Sequence, residues 1–215
     1  MLASISPVGE ASRQQRWPVT ATAYTLGSTA GGALIGAALG GIGALLVALV
    51  PALGTVLSPG RLLVVLGVLL LLGAFLDAGW IPVRLPSWQR QVDERWLTTY
   101  RGWVYGAGFG VQLGAAVLTI VSTTATYAML LTALLSAEVA TGAAIGATFG
   151  LVRAVPLLTT RSVRTPEQLR ELHVRIEQVT AAVSRATVVA LLVLGSAALG
   201  LGAAALTGRL PAGWT

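Results

Sequence analysis

Polar side chains that could coordinate a solute lie in the middle of the longest uncharged run of the chain. Residues 102–137 contain no charged residue, although a lone membrane helix needs only about 20 apolar residues. The side chains that we interpret as candidate contacts for a solute or ion are Gln112, Ser122, Thr123, Thr124, Thr126 and Tyr127. Because hydroxyls can bond to the carbonyl four residues earlier and loosen a helix, this run is predicted to bend or break near 119–126. The alternative is a continuous tilted helix in which the hydroxyls bond internally or to a neighbouring helix.

Ionisable side chains within the apolar runs are few. Asp77 and Arg153 both fall towards the same side of the membrane in the topology derived below, so they are predicted to form an intramembrane ion pair. The alternative is that Arg153 extends alone to the lipid headgroups. The single His173 has no second ligand nearby in the sequence, so no metal site is predicted.

Enzyme chemistry has no visible basis in this sequence. It contains no nucleophile triad, phosphate-binding loop or carboxylate pair, so we predict that the protein is not an enzyme and needs no cofactor. Since the chain has no cysteine, it cannot form a disulfide or bind a metal through thiolates.

The composition indicates whether the chain folds in water or in a lipid bilayer. Hydrophobic residues make up 55% of it and charged residues 10%, with a mean hydropathy of +0.79, which is typical of an integral membrane protein. The net charge of +6 does not predict nucleic-acid binding, because arginines flank the apolar runs instead of clustering on a soluble domain. The predicted partner of this charge is the lipid bilayer.

Apolar runs divide the chain into five predicted transmembrane helices. They are span A at 21–50, span B at 61–80, span C at 102–135, span D at 141–158 and span E at 186–207. We expect a cytoplasmic segment at 1–19, a single transmembrane domain at 20–207, cytoplasmic loops at 82–101 and 161–185, and an external tail at 208–215.

Arginine placement predicts the orientation of these spans. A cytoplasmic N-terminus puts eleven loop or terminal arginines on the inner side and leaves only Arg61 and Arg209 outside. The protein is therefore expected in the cell (inner) membrane as a multi-pass protein with an external C-terminus.

Glycine recurs at every fourth residue on three of the spans. The rows are Gly32, Gly36 and Gly40 on span A, Gly102, Gly106, Gly110 and Gly114 on span C, and Gly142, Gly146 and Gly150 on span D. Such rows allow helix backbones to approach closely, so they predict a compact bundle. The alternative is a substrate path along the smooth stripes.

Two pairs of segments suggest an internal repeat. GALIGAALG at 32–40 matches GAAIGATFG at 142–150, and RLLVVLGVLL at 61–70 is similar to RATVVALLVL at 185–194. A shift of three spans reverses direction across the membrane, which is the pattern of an inverted-topology repeat. Because the first half lacks a counterpart of span C, the glycine row of span A is expected to face lipid or another chain, and a homo-oligomer or a partner membrane protein is predicted.

Several segments resemble the transmembrane thiol–disulfide carriers of cytochrome c biogenesis (the CcdA/DsbD type), or a related small-solute exporter fold. They are GRLLVVLGVLLLLG at 60–73, YRGWVYGAGFG at 100–110 and FGLVRAVPLL at 149–158. The resemblance implies the architecture of that family. The family's first helix with its reactive cysteine has no counterpart in 1–19, and the place of its Pro-Cys-x-Gly-Pro break falls near Ser122–Thr126, so its catalytic cysteines have no equivalents here.

The 161–185 segment carries a helix start and an apolar seam. Thr165 is predicted as the N-cap, Pro166 as the first helical residue and Gln168 as the third. The seam consists of Leu169, Leu172, Ile176, Val179 and Val183, and a weaker stripe in the preceding loop consists of Trp88, Val92 and Trp96. These stripes either pack on each other or on headgroups, or a partner helix docks at 166–185.

The sequence thus predicts an all-α integral membrane protein with five transmembrane helices in a glycine-rich bundle and an incomplete inverted repeat. For function, it favours a small-solute or ion transporter, or a membrane subunit of one, with a site near Ser122–Thr126. The alternative is a non-catalytic assembly subunit of a membrane redox or cytochrome c maturation system.

Overall fold

The computed structural model describes residues 5–56, 58–81, 95–116 and 124–209, and this part of the chain is helical without a β-strand. The helices are α1 (Pro7–Ser12), α2 (Trp17–Leu49), α3 (Pro51–Val56), α4 (Pro59–Asp77), α5 (Trp96–Thr99), α6 (Gly102–Gly114), α7 (Ala125–Leu135), α8 (Val139–Leu158) and α9 (Pro166–Leu206). A 3₁₀ turn at Thr159–Ser162 follows α8. The all-α class predicted from the sequence is confirmed for these residues.

Four helices among the described residues are long and apolar enough to cross a membrane. They are α2, α4, α8 with its 3₁₀ turn, and α9. These helices coincide with the predicted spans A, B, D and E. Their number and composition make the chain a multi-pass membrane protein.

Predicted span C contains two short helices in place of one long one. The first, α6, has 13 residues and ends at Gly114, and the second, α7, has 11 residues and begins at Ala125. At 1.5 Å per residue they are about 20 Å and 16 Å long, so neither alone crosses a hydrocarbon core of about 30 Å. Ala116 has a φ of 59°, a left-handed conformation that stops α6 from continuing. Residues 117–123, which include Ser122 and Thr123, lie outside the described residues.

The glycine rows bring α2 and α8 together as an antiparallel pair. A methyl group added at Gly32 would overlap the Gly146 carbonyl, and one added at Gly36 would overlap the Gly142 carbonyl. The glycine row of span A is therefore covered by α8 of the same chain. The expectation that it faces lipid or another chain is wrong.

The third glycine row packs α6 on the other side of α2. Methyl groups at Gly110 and Gly114 would overlap the carbonyls of Tyr24 and Ser28, respectively. At these glycines no side chain separates the helices, so van der Waals contact between backbones replaces the hydrophobic effect, which lipid does not supply. We refer to α2, α6 and α8 as the three-helix unit, and to the end where α1 lies as the α1 end.

A second antiparallel pair consists of α4 and α9. Its close contacts are again at glycines, where Gly67 lies against Gly195 and Gly202 lies against Gly60. The short helix α7 contacts α2 and α8 on one side and α4 on the other. It therefore links this pair to the three-helix unit.

Helix α9 is continuous over 41 residues, so the predicted helix of the 161–185 segment and the predicted span E form one helix. The reason is that no glycine or proline occurs between Pro166 and Gly195. Its predicted start is confirmed, since the Gln168 backbone N–H donates to the Thr165 hydroxyl at 3.3 Å and Pro lies in the first turn. In addition, the Arg164 backbone N–H donates to Gln168 Oε1 at 2.7 Å.

Candidate functional site

The first turn of α7 is held by a carboxylate from α4. The Thr124 backbone N–H lies 3.0 and 3.1 Å from the two Asp77 carboxylate oxygens, and the Thr124 hydroxyl donates to Asp77 Oδ2 at 2.8 Å. A carboxylate in this position satisfies N–H groups that a helix start leaves unpaired, and it interacts favourably with the positive end of the helix dipole. Asp77 therefore caps α7 from another helix.

The close approach of the two helices depends on Gly73, one turn before Asp77. An added Cβ at Gly73 would lie 2.8 Å from the Thr124 hydroxyl oxygen. Thr124 is buried, with 6% of its surface exposed, and Thr126 in the same turn is buried as well. Thus two of the predicted contact residues lie inside the protein.

A mainly apolar cavity of about 200 Å³ lies next to this cap, between α4, α7 and α9. Its lining includes Leu69, Gly73, Leu76, Thr124, Tyr127, Leu131 and Leu191. Of these, Thr124 and Tyr127 carry hydroxyls, so two of the predicted contacts line one space. Such a volume accommodates a few water molecules or a small solute.

Other predicted site residues lie elsewhere. Gln112 is half-buried on α6 and does not line this cavity, while Ser122 and Thr123 belong to the stretch outside the described residues. The predicted ion pair between Asp77 and Arg153 does not form. Asp77 bonds to Thr124, whereas the Arg153 guanidinium lies over the Phe149 ring at 5.4 Å. The pair is absent because Arg153 belongs to the three-helix unit and Asp77 to the α4–α9 pair.

A row of buried polar side chains continues the glycine row of α2 towards the α1 end. Thr20, Tyr24 and Ser28 occur at every fourth residue before Gly32 and are all buried. The Ser28 hydroxyl donates to the Gly150 carbonyl at 2.6 Å, which adds a polar contact to the α2–α8 seam. The spacing of four was visible in the sequence, but only the glycines were interpreted.

At the α1 end, a fully buried carboxylate attaches α1 to the three-helix unit. Glu10 has no exposed surface and accepts hydrogen bonds from Arg13 Nη2 at 2.8 Å and from the Thr20 hydroxyl at 2.5 Å. The Tyr105 hydroxyl of α6 also donates to it. A cation and two hydroxyls thus compensate the carboxylate for its loss of water.

The contacts around this carboxylate also affect Arg13. Partial burial lowers the pKa of the Arg13 guanidinium, but hydrogen bonds and charge interactions with Glu10 and Tyr105 outweigh that effect and raise the pKa above its ordinary value. Ile5 joins Tyr105 and Leu157 in the core cluster of this end, and the Trp17 indole donates to the Ile5 carbonyl at 3.2 Å. Sequence reasoning missed this site, whose one local signal is the Ser6-Pro7 helix start.

Comparisons of the chain with protein-family models, with curated proteins and with solved structures found no match. The resemblance to the thiol–disulfide carriers therefore stays a prediction. The function has to be argued from the geometry of the helices and their polar groups.

Proposed function

We propose that the protein is a small-solute or ion transporter, or the membrane subunit of one, with its site at Asp77 and Thr124. The observation that carries this proposal is the Asp77 carboxylate at the start of a half-length helix, beside a cavity. In many transporters the binding site is formed by discontinuous helices whose ends meet within the membrane. The Asp77–Thr124 arrangement has these components.

In this proposal α6 and α7 together form the fifth crossing. The first turn of α7 is bonded to Asp77, the last residue of α4, so it lies at the level where the α4 span ends. Backbone that is not helical is tolerated within a membrane where it is buried in protein or lines a cavity. An ionisable side chain in a membrane-spanning helix is costly and therefore favours a functional role.

The packing of the two long helix pairs supports an incomplete inverted repeat. In the sequence alignment of the halves, Gly32 corresponds to Gly142 and Gly36 to Gly146. The structure places Gly32 against Gly146 and Gly36 against Gly142. If each glycine is replaced by its counterpart in the other half, the first contact becomes the second. A two-fold axis in the membrane plane would require this relation, and α7 with its cap lies between the two pairs.

Asp77 suits the exchange of a proton or a small cation. Among the described residues it has no salt bridge, and its partners are the hydroxyl and N–H of Thr124. A carboxylate held by such donors can give up one of these bonds to a proton or cation without leaving an arginine unpaired.

Ion flux into proteoliposomes tests this proposal directly. Purified protein is reconstituted into vesicles that contain a pH-sensitive dye, a potassium diffusion potential is imposed, and proton entry is followed, with sodium entry measured in parallel. Asp77→Asn should reduce the flux at least about tenfold, because it keeps the shape of the side chain but removes its charge. The matched control is Glu138→Gln, since Glu138 is an exposed carboxylate at the start of α8 that accepts a hydrogen bond from the Thr141 hydroxyl.

An unchanged flux in Asp77→Asn would remove this residue from the mechanism. If the wild-type protein carried neither ion, ion transport through this site would be wrong. The retained flux of Glu138→Gln would separate a specific effect from a general loss of carboxylate charge.

The alternative function, a non-catalytic assembly subunit of a membrane redox or cytochrome c maturation system, is favoured by one observation. Helix α9 is about 60 Å long, roughly twice the thickness of the hydrocarbon core. On its first half, Val174, Val179 and Val183 are 51%, 51% and 60% exposed. Replacing Val179 and Val183 by serine should release a partner protein that co-purifies with wild type, while ion flux tests the first proposal separately.

A further inference from the structure

Arg153 is a cation for which the described residues provide no acceptor. It lies about 8 Å before the end of α8, within a helix long enough to cross the membrane. Its Nη1 is buried and has no hydrogen-bond partner, and among the described residues no carboxylate pairs with it. The side chain as a whole is only half-buried, so part of it is accessible from outside the bundle.

The protein does compensate one face of this guanidinium. The Phe149 ring, one turn earlier on α8, lies 5.4 Å from the Arg153 guanidinium carbon. A cation–π contact stabilises the positive charge, but the ring accepts no hydrogen bond from the five guanidinium N–H groups. An oxyanion with two oxygens is the partner that matches the fork of an arginine.

A second donor lies close to the first. Tyr24 of α2 belongs to the same buried cluster as Ala154 of α8, the residue that follows Arg153, so the two side chains lie at the same level of the α2–α8 seam. No residue in the described part of the chain forms a hydrogen bond with the Tyr24 hydroxyl, although 95% of the Tyr24 surface is buried. Arg153 and Tyr24 therefore bring two hydrogen-bond donors without described acceptors to the α2–α8 seam.

The surrounding charge favours an anion. Arg16, Arg101 and Arg161 lie at the same end of α2, α6 and α8, and all three are exposed. Of the acids at this end, Glu10 is already bound to Arg13, and Glu171 lines a pocket that it shares with Arg175. Clustered arginines beside a membrane attract anionic groups from lipid or from solution.

We propose that Arg153 and Tyr24 bind an oxyanion, a phosphate or carboxylate group, at the seam between α2 and α8. The group is supplied either by an anionic lipid headgroup or by a soluble anion. This site is separate from Asp77 and does not depend on ion flux through it, since the two side chains belong to different helix units.

The lipid source is tested with full-length protein in nanodiscs of phosphatidylcholine alone or with phosphatidylglycerol added. Phosphatidylglycerol should raise the unfolding temperature of wild type and should stay bound in native mass spectrometry. Arg153→Gln should weaken that binding about tenfold, and Tyr24→Phe should weaken it less. The matched control is Arg161→Gln, which removes one exposed arginine of the surrounding cluster and should weaken binding much less than Arg153→Gln does.

The soluble source is tested in the phosphatidylcholine nanodiscs by titrating inorganic phosphate or acetate at constant ionic strength. Stabilisation of wild type but not of Arg153→Gln in this arm assigns the site to a soluble anion, and stabilisation only by phosphatidylglycerol assigns it to lipid. If neither addition distinguishes wild type from Arg153→Gln, or if Arg161→Gln loses as much binding, the site is wrong. Should Arg153→Gln fail to fold, Arg153→Lys replaces it, because it keeps the charge and loses the fork; equal binding by Arg153→Lys and wild type would also contradict the proposal.

Discussion

Glu10 and Asp77 both accept a hydrogen bond from a threonine, but their surroundings suit them to different tasks. Glu10 is fully buried and paired with Arg13, so the loss of its charge would leave a cation without its partner. Asp77 is half-exposed and bound to one residue. The arrangement around Glu10 favours a fixed attachment of α1, and the arrangement around Asp77 favours the proposed exchange of a proton or cation.

The pKa of Arg13 shows over which pH range the first attachment lasts. Because the folded protein raises this pKa, the contribution of the charged guanidinium to stability is complete at any pH below the ordinary value of arginine. It is lost only as the pH rises through the raised pKa. The Arg13 side of the contact is therefore constant across the physiological range.

Replacing Glu10 should release α1 from the bundle. Since the chain has no cysteine, a single cysteine introduced at Ile5, which is 1% exposed, can be compared with one at the exposed Ser12. With Glu10→Gln, maleimide labelling at position 5 should rise about tenfold relative to position 12, because a charge-assisted contact is lost. Unchanged labelling, or an equal rise with Glu138→Gln, would show that Glu10 does not hold α1.

The two carboxylates also show what a single sequence can reveal about a site. Thr124 and Tyr127 were predicted as contacts from a cluster of hydroxyls in an apolar run, and both line the cavity. The partner of Asp77 was wrong because pairing depends on which helices pack together, and spacing along the chain does not encode that. Glu10 was missed because α1 has only six residues and therefore no periodic pattern.

Among the helices, α2 contributes to most of the bundle's close contacts. Its 33 residues place glycines and small hydroxyl side chains against α8 on one side and α6 on the other. Since these seams contain backbone atoms in contact, a single added methyl group cannot be absorbed by rotating a side chain. The helices would have to separate.

Substitution of these glycines should therefore destabilise the protein. Gly36→Ala introduces a methyl group that overlaps the Gly142 carbonyl, and we expect a loss of about 1–3 kcal/mol in the free energy of unfolding. The control is Gly200→Ala on α9, where an added Cβ meets nothing within 4 Å and the better helix propensity of alanine should keep stability equal or slightly higher. Thermal unfolding in one detergent gives both values, and equal melting temperatures for the two variants would contradict the packing argument.

Helix positions could be predicted better than helix ends. Four long apolar runs sufficed for α2, α4, α8 and α9, because length and hydropathy alone decide whether a helix can span. Helix α6 stops at Gly114, several residues before the predicted break, and Leu-Gly-Ala-Ala contains no conventional stop signal. The left-handed Ala116 that ends it is a property of the tertiary structure.

At the scale of the whole molecule, the chain consists of a three-helix unit and a helix pair that α7 joins. Span A packs on span D and span B packs on span E, and the sequence analysis made no prediction of these packing partners. Because α8 covers the glycine row of α2, that row gives no reason to expect a second chain there. The proposed partner docking now rests on the exposed first half of α9.

The membrane topology tests the whole arrangement, and the reporter readings at residues 175 and 212 decide it. If α6 and α7 together cross once, reporter fusions after residues 90 and 175 should read cytoplasmic, and fusions near 56, 138 and 212 should read external. Cytoplasmic readings at 138 and 212 with an external reading at 175 would mean that α6 and α7 together do not cross, and they would also contradict the antiparallel packing of α2 and α8, in which Gly40 lies against Glu138. The arginines at 161–185 favour the first result because positive residues are retained in the cytoplasm. An external signal at 175 together with a cytoplasmic signal at 212 would therefore remove the fifth crossing, and with it the position of Thr124 within the membrane on which the proposed transport site depends.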